Sequence, residues 1–237
     1  NVASCMADYG VKVAVTGQLG RENSALFESL FDDKGINNLC LYLDGHTRVN
    51  TKVVDPGNGQ TTDINLPGTH LSAVQIEDQI GRLMGVLNAL SATARWVVLS
   101  GSLPPGWPMD TYATLTRHVH ALGGKVMLDT SGQPFTEALK ASPDMVKPNR
   151  DELAEHLGRP LKTVAEVVEA ARRLLNESHE MSLVAVSMGR DGAVFVSPSS
   201  AIVAHPLEVE LISSVGAGDA MVAGIVAAQL HALSLGE

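Results

Sequence analysis

Cysteine is scarce in this chain: two in 237 residues, Cys5 and Cys40, both in apolar settings. No disulfide framework is indicated, and a reducing, cytoplasmic compartment is expected. The eight histidines show neither HExxH nor paired Cys/His spacing, so zinc chemistry has little support. Cations are the minority charge, with 17 Lys and Arg against 26 Asp and Glu and a formal net charge of -9. That balance argues against a nucleic-acid partner, because binding a polyanion rests on clustered basic residues. Long apolar runs are also missing. The most continuous, Ala220 to Leu230, falls well short of the ~20 residues a membrane helix needs, and no charged-then-apolar signal segment opens the chain. No membrane partner is expected.

What is present is a rhythm of strand-length apolar runs and helical patterns. "VKVAVTG" (11–17) precedes a helix through Leu26, Phe27 and Leu30, then "NLCLYL" (38–43). "WVVLS" (96–100) precedes a helix from about Asp110 to Leu122, then "KVMLD" (125–129). A third cycle runs from "DMVKPN" through a helix to "LVAVS" (183–187). Its helix opens with Thr163 and Glu166 at capping-box spacing, and Val164, Val167, Val168, Ala171, Leu174 and Leu175 fall on one face. Continuous hydrophobic strands suit a parallel sheet covered on both sides by crossover helices. The expected fold is therefore α/β, a layered αβα domain spanning residues 1–237. One excursion breaks the rhythm at about 44–67, a strand, a "DPGNGQ" turn and a strand, which predicts an antiparallel hairpin standing off the main sheet as a lid. The chain opens directly in a helical pattern and stops soon after the helix that follows "GAGD", so both ends are expected to be truncated.

Chemistry concentrates in "SSVGAGDAMVAG" (213–224). Gly216 and Gly218 let the backbone turn sharply and approach a ligand, and Ala217 adds almost no bulk. A helix beginning here offers unpaired amides and a positive dipole end to an anion. Asp219, in the first turn, can take a proton from a hydroxyl attacking phosphorus; the alternative is a helix start with an acid near its positive end. A dinucleotide fingerprint fails because Met221 stands where its third glycine belongs, and the Gly124-Lys125 pair is followed by valine rather than Ser or Thr. "KPNRDE" sets Asn149 and Glu152 three apart, either a helix cap or a pair that orients Mg²⁺-bound water. "SMGRDG" (187–192) is good hairpin-turn chemistry. In "TRVNTK", alternation puts Arg48, Asn50 and Lys52 on one face, a pattern that also suits a solvated strand. Ser102 follows a strand's carboxyl end, where α/β sheets collect ligands, although turn chemistry before Pro104 and Pro105 accounts for it as well.

"SSVGAGDAMVAG", together with "LSGSLPPG" (99–106), "LDTSG" (128–132) and "VKPNRDEL" (146–153), resembles the ribokinase-like sugar kinases, in their phosphofructokinase-B branch. The four segments occur in the family's order over nearly the whole chain. The resemblance implies a ribokinase-like three-layer αβα sandwich with a mostly parallel central sheet and a small β lid, with ATP and Mg²⁺ as cofactors. It makes Asp219 the catalytic base and the amides of Gly216, Ala217 and Gly218 the anion hole. It assigns ATP contacts to Ser187, Met188, Gly189, Arg190, Asp191 and Gly192, sets Lys147 and Asn149 near the nucleotide, and gives Glu152 a part in metal positioning. Arg48 is implied as the clamp on the acceptor's phosphate, with Asn50 and Lys52 beside it and Ser102 near the same group. Asn1 would close the glycine-rich segment that contacts the sugar. Asp129 more readily organises its loop than does chemistry.

Within the branch, "DGHTRVNTKVV" followed by "TTDINLPG" is most similar to enzymes that use ATP to phosphorylate C6 of fructose 1-phosphate, so a phosphorylated ketohexose is the expected substrate. A relative acting on fructose 6-phosphate would offer a second cation near Asp63, and "TTDIN" has none. Tagatose-6-phosphate kinase or a 6-phosphofructokinase is the alternative in the same branch. A noncatalytic sugar-phosphate sensor is the alternative outside it, against which Asp219 argues. A homodimer formed through the lid is expected by the same resemblance.

Overall fold

The computed structural model describes residues 1–54, 61–66, 68–178, 180–206 and 216–234. Helix α1 (Val2–Asp8), strands β1 (Ala14–Val15) and β2 (Gln18–Gly20), helix α2 (Ala25–Asp33), and strands β3 (Asn37–Asn38) and β4 (Leu41–Leu43) open the chain. β1 pairs parallel with β3, and β2 with β4. The run 11–17, expected as one strand, is broken because Gly17 takes φ 142°, a conformation open to glycine, and pairing resumes in β2. The 38–43 run breaks for a different reason. The Asn38 side chain accepts the Cys40 N–H at 3.0 Å, a local bond that competes with the ladder.

Strands β5 (Asn50–Val54) and β6 (Thr61–Asn65) form the expected antiparallel hairpin. Its "DPGNGQ" turn, 55–60, lies outside the described residues, as do Pro67 and the side chain of Lys52. β5 begins two residues after Arg48, so Arg48 does not share a strand face with Asn50 and Lys52 as the alternation predicts. Helix α3 (Ala73–Leu90) fills a stretch for which the strand–helix rhythm predicts nothing. Gly81 and Gly85 dilute its pattern, yet a Ser72–Gln75 capping box starts it and Ile76, Leu83 and Leu87 are buried along one face.

The remaining elements are β7 (Trp96–Ser100), α4 (Thr111–Ala121), β8 (Lys125–Asp129), α5 (Gly132–Leu139), β9 (Met145–Val146), α6 (Arg150–Leu157), α7 (Val164–Asn176), β10 (Leu183–Ser187), β11 (Ala193–Val196), β12 (Ala201–Ala204) and α8 (Ala217–Leu230). The strand–helix alternation holds, but the third cycle carries two helices rather than one, because Gly158 ends α6 at φ 65°, and α5 and β12 are additions to the predicted rhythm. Six strands form one sheet in the order β12-β11-β10-β9-β8-β7. The pairs from β7 through β10 are parallel, and β10–β11–β12 is an antiparallel meander. At α7 the capping box forms as predicted. Glu166 N–H donates to Thr163 Oγ1 at 3.2 Å, and Thr163 N–H donates to Glu166 Oε2 at 2.8 Å.

Strand alternation sorts the layers. Val126, Leu128, Val146, Val184 and Val186 join the core that also holds Leu115, Phe135, Leu153, Val167 and Leu174, from α4 through α7. Met127, Met145, Leu183 and Ala185 join Met6 of α1 and Val222, Ala223, Ile225 and Val226 of α8 on the opposite face. Each fully buried side chain of this kind contributes about 1.5–3 kcal/mol. The small residues of α8 thus have a packing reason, since α8 packs against both the sheet and α1 and buries Val222, Ala223 and Val226 completely.

Candidate active site

β7, β8, β9 and β10 run parallel, so Ser100, Asp129, Lys147 and Ser187 arrive at one edge of the sheet, the carboxyl edge where α/β folds place ligands. Asp129 and Lys147 form an ion pair there, Nζ to Oδ1 at 3.0 Å, with only 6% of the lysine side chain and 17% of the aspartate side chain exposed. Burial pushes the Asp129 carboxyl up from its ordinary value, and Lys147 opposes that shift without cancelling it. Ser100 Oγ donates to the other carboxylate oxygen at 3.4 Å. Asp129 therefore holds Lys147, a positioning part in keeping with the sequence reading.

Lys147 stands directly behind the glycine turn. A Cβ built on Gly218 would lie 3.4 Å from Lys147 Nζ, so this glycine keeps the ammonium close to the start of α8. Gly216 caps that helix in the left-handed region at φ 81° with no side-chain cap among the described residues. The amides of the first turn have no intrahelical acceptor. Asp219 follows at half exposure, and its Oδ2 accepts a hydrogen bond from Asn1 Nδ2 at 2.8 Å. Residues separated by almost the full chain, Asn1 and Asp219, thus meet. Sequence spacing gave no signal for that contact. Residues 213–215 of the glycine segment lie outside the described residues.

On the other side of the site, Arg48 Nη2 donates to Ser102 Oγ at 2.6 Å. Both ends of this contact are built from local chemistry. Thr47, next to Arg48, donates its N–H to Asn23 Oδ1 at 2.8 Å, its carbonyl accepts from Asn23 Nδ2 at 3.0 Å, and its Oγ1 accepts from Gly20 N–H at 2.8 Å. A Cβ at Gly20 would sit 2.3 Å from the His46 carbonyl carbon, so only glycine permits this approach. Next to Ser102, the Gly101 carbonyl accepts from Tyr112 Oη and Thr130 Oγ1, each at 2.9 Å. Burial and the neighbouring Asp129 push the Tyr112 hydroxyl up to about 12, so it stays a donor. Asn23, Gly20, Tyr112 and Thr130 are the positioning residues that motif reading misses; the pairing of Gly20 with Asn23 in "GREN" is the trace they leave.

Arg48 and Ser102 line a cavity of about 330 Å³ that runs between β2 and β7, with apolar walls from Leu83, Leu87, Val98 and Leu115. Asp219 is not on its wall, so the cavity lies on the side of Arg48 and Ser102. Asn50 is exposed, and among the described residues no polar contact ties it to Arg48.

The third cluster joins "KPNRDE" to "SMGRDG". Ser187 N–H donates to the Pro148 carbonyl at 3.2 Å, and Asn149 forms a parallel bridge with Ser187. Met188 N–H donates to the Gly192 carbonyl at 2.9 Å, closing the β10–β11 turn, while the Met188 side chain is buried at 7% exposure. Any contact Met188 makes with a ligand is through its backbone. Gly189 and Arg190 are exposed, and Arg150 Nη2 meets Asp191 Oδ2 at 2.6 Å. Gly192 takes φ 86°, and a Cβ there would fall 2.0 Å from the Ala204 carbonyl oxygen.

The cap and the metal readings of Asn149 and Glu152 meet in one geometry. Asn149 Oδ1 accepts from Glu152 N–H at 2.8 Å, and Glu152 Oε2 accepts from Asn149 N–H at 2.7 Å, a complete capping box. Burial raises the Glu152 carboxyl above its ordinary value. Among the described residues there is no cluster of three or more His, Cys, Asp or Glu that could cage a metal. The residues fit Mg²⁺ arriving on substrate phosphates with its waters, a mode that needs one or two carboxylates rather than a protein cage.

A model of the pfkB family carbohydrate kinases matches residues 1–237. The 1-phosphofructokinase of Xanthomonas campestris is 44% identical over 97% of this chain and 72% of its own length, and that of Rhodobacter capsulatus 45% identical over 100% and 73%. Phosphofructokinase-2 from Escherichia coli in complex with substrates and products superposes with a TM-score of 0.89 at 28% identity, covering 99% of this chain and 75% of that one. The tetrameric inhibited form of the same protein superposes at 0.85 with 27% identity, covering 99% and 75%. No described helix is long and apolar enough to cross a membrane. With its motifs in order along this fold and a match over its whole length, the chain belongs to the pfkB family of carbohydrate kinases.

Proposed function

We propose that the chain transfers the γ-phosphoryl group of ATP to the C6 hydroxyl of fructose 1-phosphate, as a 1-phosphofructokinase. The observation that carries the reading is Asp219, half-buried in the first turn of α8 beside amides that have no side-chain cap among the described residues, and hydrogen-bonded to Asn1. Asp219 takes the hydroxyl proton as its oxygen bonds to phosphorus, and the bond to the β-phosphate oxygen breaks as ADP leaves. The amides of Gly216, Ala217 and Gly218, with Lys147 behind them, offset charge on the moving group. Mg²⁺ bound to the nucleotide phosphates would add charge neutralisation, with Asn149 and Glu152 placed to orient its water. Ser187 to Gly192 and Asn149 hold the nucleotide. Arg48 and Ser102 grip the sugar's own phosphate, a task suited to the guanidinium fork, and Asn1 contacts the sugar. Asn50 and Lys52 complete the approach on the lid.

The relatives in Xanthomonas campestris and Rhodobacter capsulatus support fructose 1-phosphate as the acceptor, as does the lack of a cation in "TTDIN". The deciding experiment is an ADP-release assay on fructose 1-phosphate, fructose 6-phosphate, tagatose 6-phosphate and unphosphorylated fructose. The highest kcat/KM on fructose 1-phosphate is expected. A preference for fructose 6-phosphate or tagatose 6-phosphate moves the substrate within the branch, and no turnover on any sugar leaves the sensor reading.

The hairpin supports pairing between copies. The register sets Thr51 opposite Ile64 and Val53 opposite Thr62, so these side chains share a face, and Val49, Val53, Ile64 and Leu66 are all about half exposed. Such a contiguous apolar strip on a surface element suits a self-association interface. A homodimer through this face is expected in sedimentation velocity, with Ile64→Asp shifting it to monomer. A monomeric parent protein removes the proposal.

A further inference from the structure

The turn between β10 and β11 is tied to the start of α6 at two heights. Its base is held by backbone, through Ser187 N–H on the Pro148 carbonyl and the Asn149–Ser187 bridge. Its tip, Gly189 to Asp191, is a 3₁₀ turn that opens on Gly189 at φ 58° and is followed by Gly192 at φ 86°. Glycines leave a segment the most backbone freedom to lose, so a tip of this composition needs an external tie to keep one conformation. Among the described residues that tie is Arg150, whose Nη2 meets Asp191 Oδ2 at 2.6 Å across 41 positions of sequence. Arg150 is three-quarters buried, and its Nε–H is closed off from solvent without an acceptor among the described residues. The guanidinium has therefore given up hydration that Asp191 offsets, and its planar fork fixes direction as well as distance.

We propose that Arg150 and Asp191 form a latch that sets the tip of the turn relative to Asn149 and Glu152, which makes Arg150 a positioning residue for nucleotide binding. The inference rests on reading Ser187 to Gly192 as the nucleotide segment. Arg150 is the neighbour of Asn149 on α6, so the latch makes two segments far apart in sequence close on the ligand as one unit. The sugar side is held by a separate set of bonds: Thr47, next to Arg48, is fixed by Asn23 and Gly20, and Arg48 itself meets Ser102. The two substrates should consequently respond differently to loss of the latch.

The test compares the parent protein with Arg150→Ala, Asp191→Ala and the double variant. Each single variant is expected to raise KM and Kd for ATP about three- to tenfold while KM for fructose 1-phosphate moves less than about twofold. The double variant should be no weaker than the worse single, since both remove one interaction. Asp191 is more than half exposed, so Asp191→Asn carries the test if Arg150→Ala does not fold. Hydrogen exchange of residues 187–192 in the parent protein, with and without ATP, separates the two layers of the argument. If ATP protects this segment yet either single variant leaves KM for ATP unchanged, or both KM values rise together, the latch is wrong and the nucleotide reading stands. If ATP leaves the segment unprotected, the nucleotide reading fails and takes the latch with it.

Discussion

Replacing Lys147 by Met leaves Asp129 in its buried place without a partner. The structure sets the size of the penalty. The ammonium is 3.0 Å from the carboxylate, and the two side chains are 6% and 17% exposed, so the pair belongs to the buried class, where removing one partner costs roughly 3–5 kcal/mol. Two features reduce that figure. Ser100 Oγ still reaches the carboxylate, and Asp129 can take up a proton, because burial already pushes its carboxyl up from its ordinary 3.8. About 2–3 kcal/mol at pH 7 is therefore expected, and roughly 5–10 °C in Tm for a domain of this size. The loss should depend on pH in a fixed direction. The carboxyl is raised in the fold, and removing Lys147 raises it further, so the folded state binds more protons than the unfolded state above 3.8. Stability of Lys147→Met then falls as pH rises through the folded pKa, and its deficit against the parent shrinks toward acid. Thermal melts of the parent, Lys147→Met and the double variant Lys147→Met/Asp129→Asn across pH 4 to 8 measure all of this. The double variant should recover most of the loss at pH 7. A deficit that ignores pH, or a double variant that melts no higher than the single, refutes the ion-pair reasoning.

Arg48→Ala should raise KM for the sugar phosphate chiefly, with kcat within a few-fold of the parent; an unchanged KM in steady-state kinetics takes Arg48 out of the clamp. Gly192→Ala puts a Cβ 2.0 Å from the Ala204 carbonyl oxygen at a positive φ, so a Tm well below the parent is expected by calorimetry, and an unchanged Tm contradicts the packing of the turn against β12. Thr163→Ala removes the cap of α7 and should cost about 1 kcal/mol in urea unfolding. Glu166 is held below its ordinary value by the Thr163 and Lys162 amides, so its contribution is present above the unfolded pKa and lost as pH falls through the folded one. Glu166→Gln and the parent should thus converge in acid; a gap that persists at low pH speaks against the charged cap.

The strands β8, β9 and β10 were readable in the sequence because their interiors are buried on both faces and so appear as apolar runs; β7 was readable from an equally apolar run although only Leu99 in it is buried. The same logic failed where pairing is short. Gly17 and the Asn38 side chain interrupt β1–β2 and β3–β4, one through a backbone angle and the other through a local hydrogen bond, neither of which hydrophobicity records. The α3 helix was missed because Gly81 and Gly85 weaken a pattern that Ser72, Ile76, Leu83 and Leu87 nevertheless satisfy. At the site, residues adjacent in sequence were found as motifs, with Asp219 after its glycines and Asn149 three before Glu152. Contacts made by the fold had no such trace: Asn1 on Asp219, Lys147 behind Gly218, and Thr47 pinned by Asn23. Each joins residues far apart in the chain that only the tertiary fold brings together.

The central claim is that Asp219 removes the proton from the attacking hydroxyl. Rapid-quench single turnover of Asp219→Ala, with radiolabelled ATP and saturating fructose 1-phosphate, tests it beside a direct measurement of ATP affinity. Label transfer should fall at least about 10²–10⁴-fold while Kd for ATP stays within a few-fold. Transfer at the parental rate, with the nucleotide still bound, would contradict the claim.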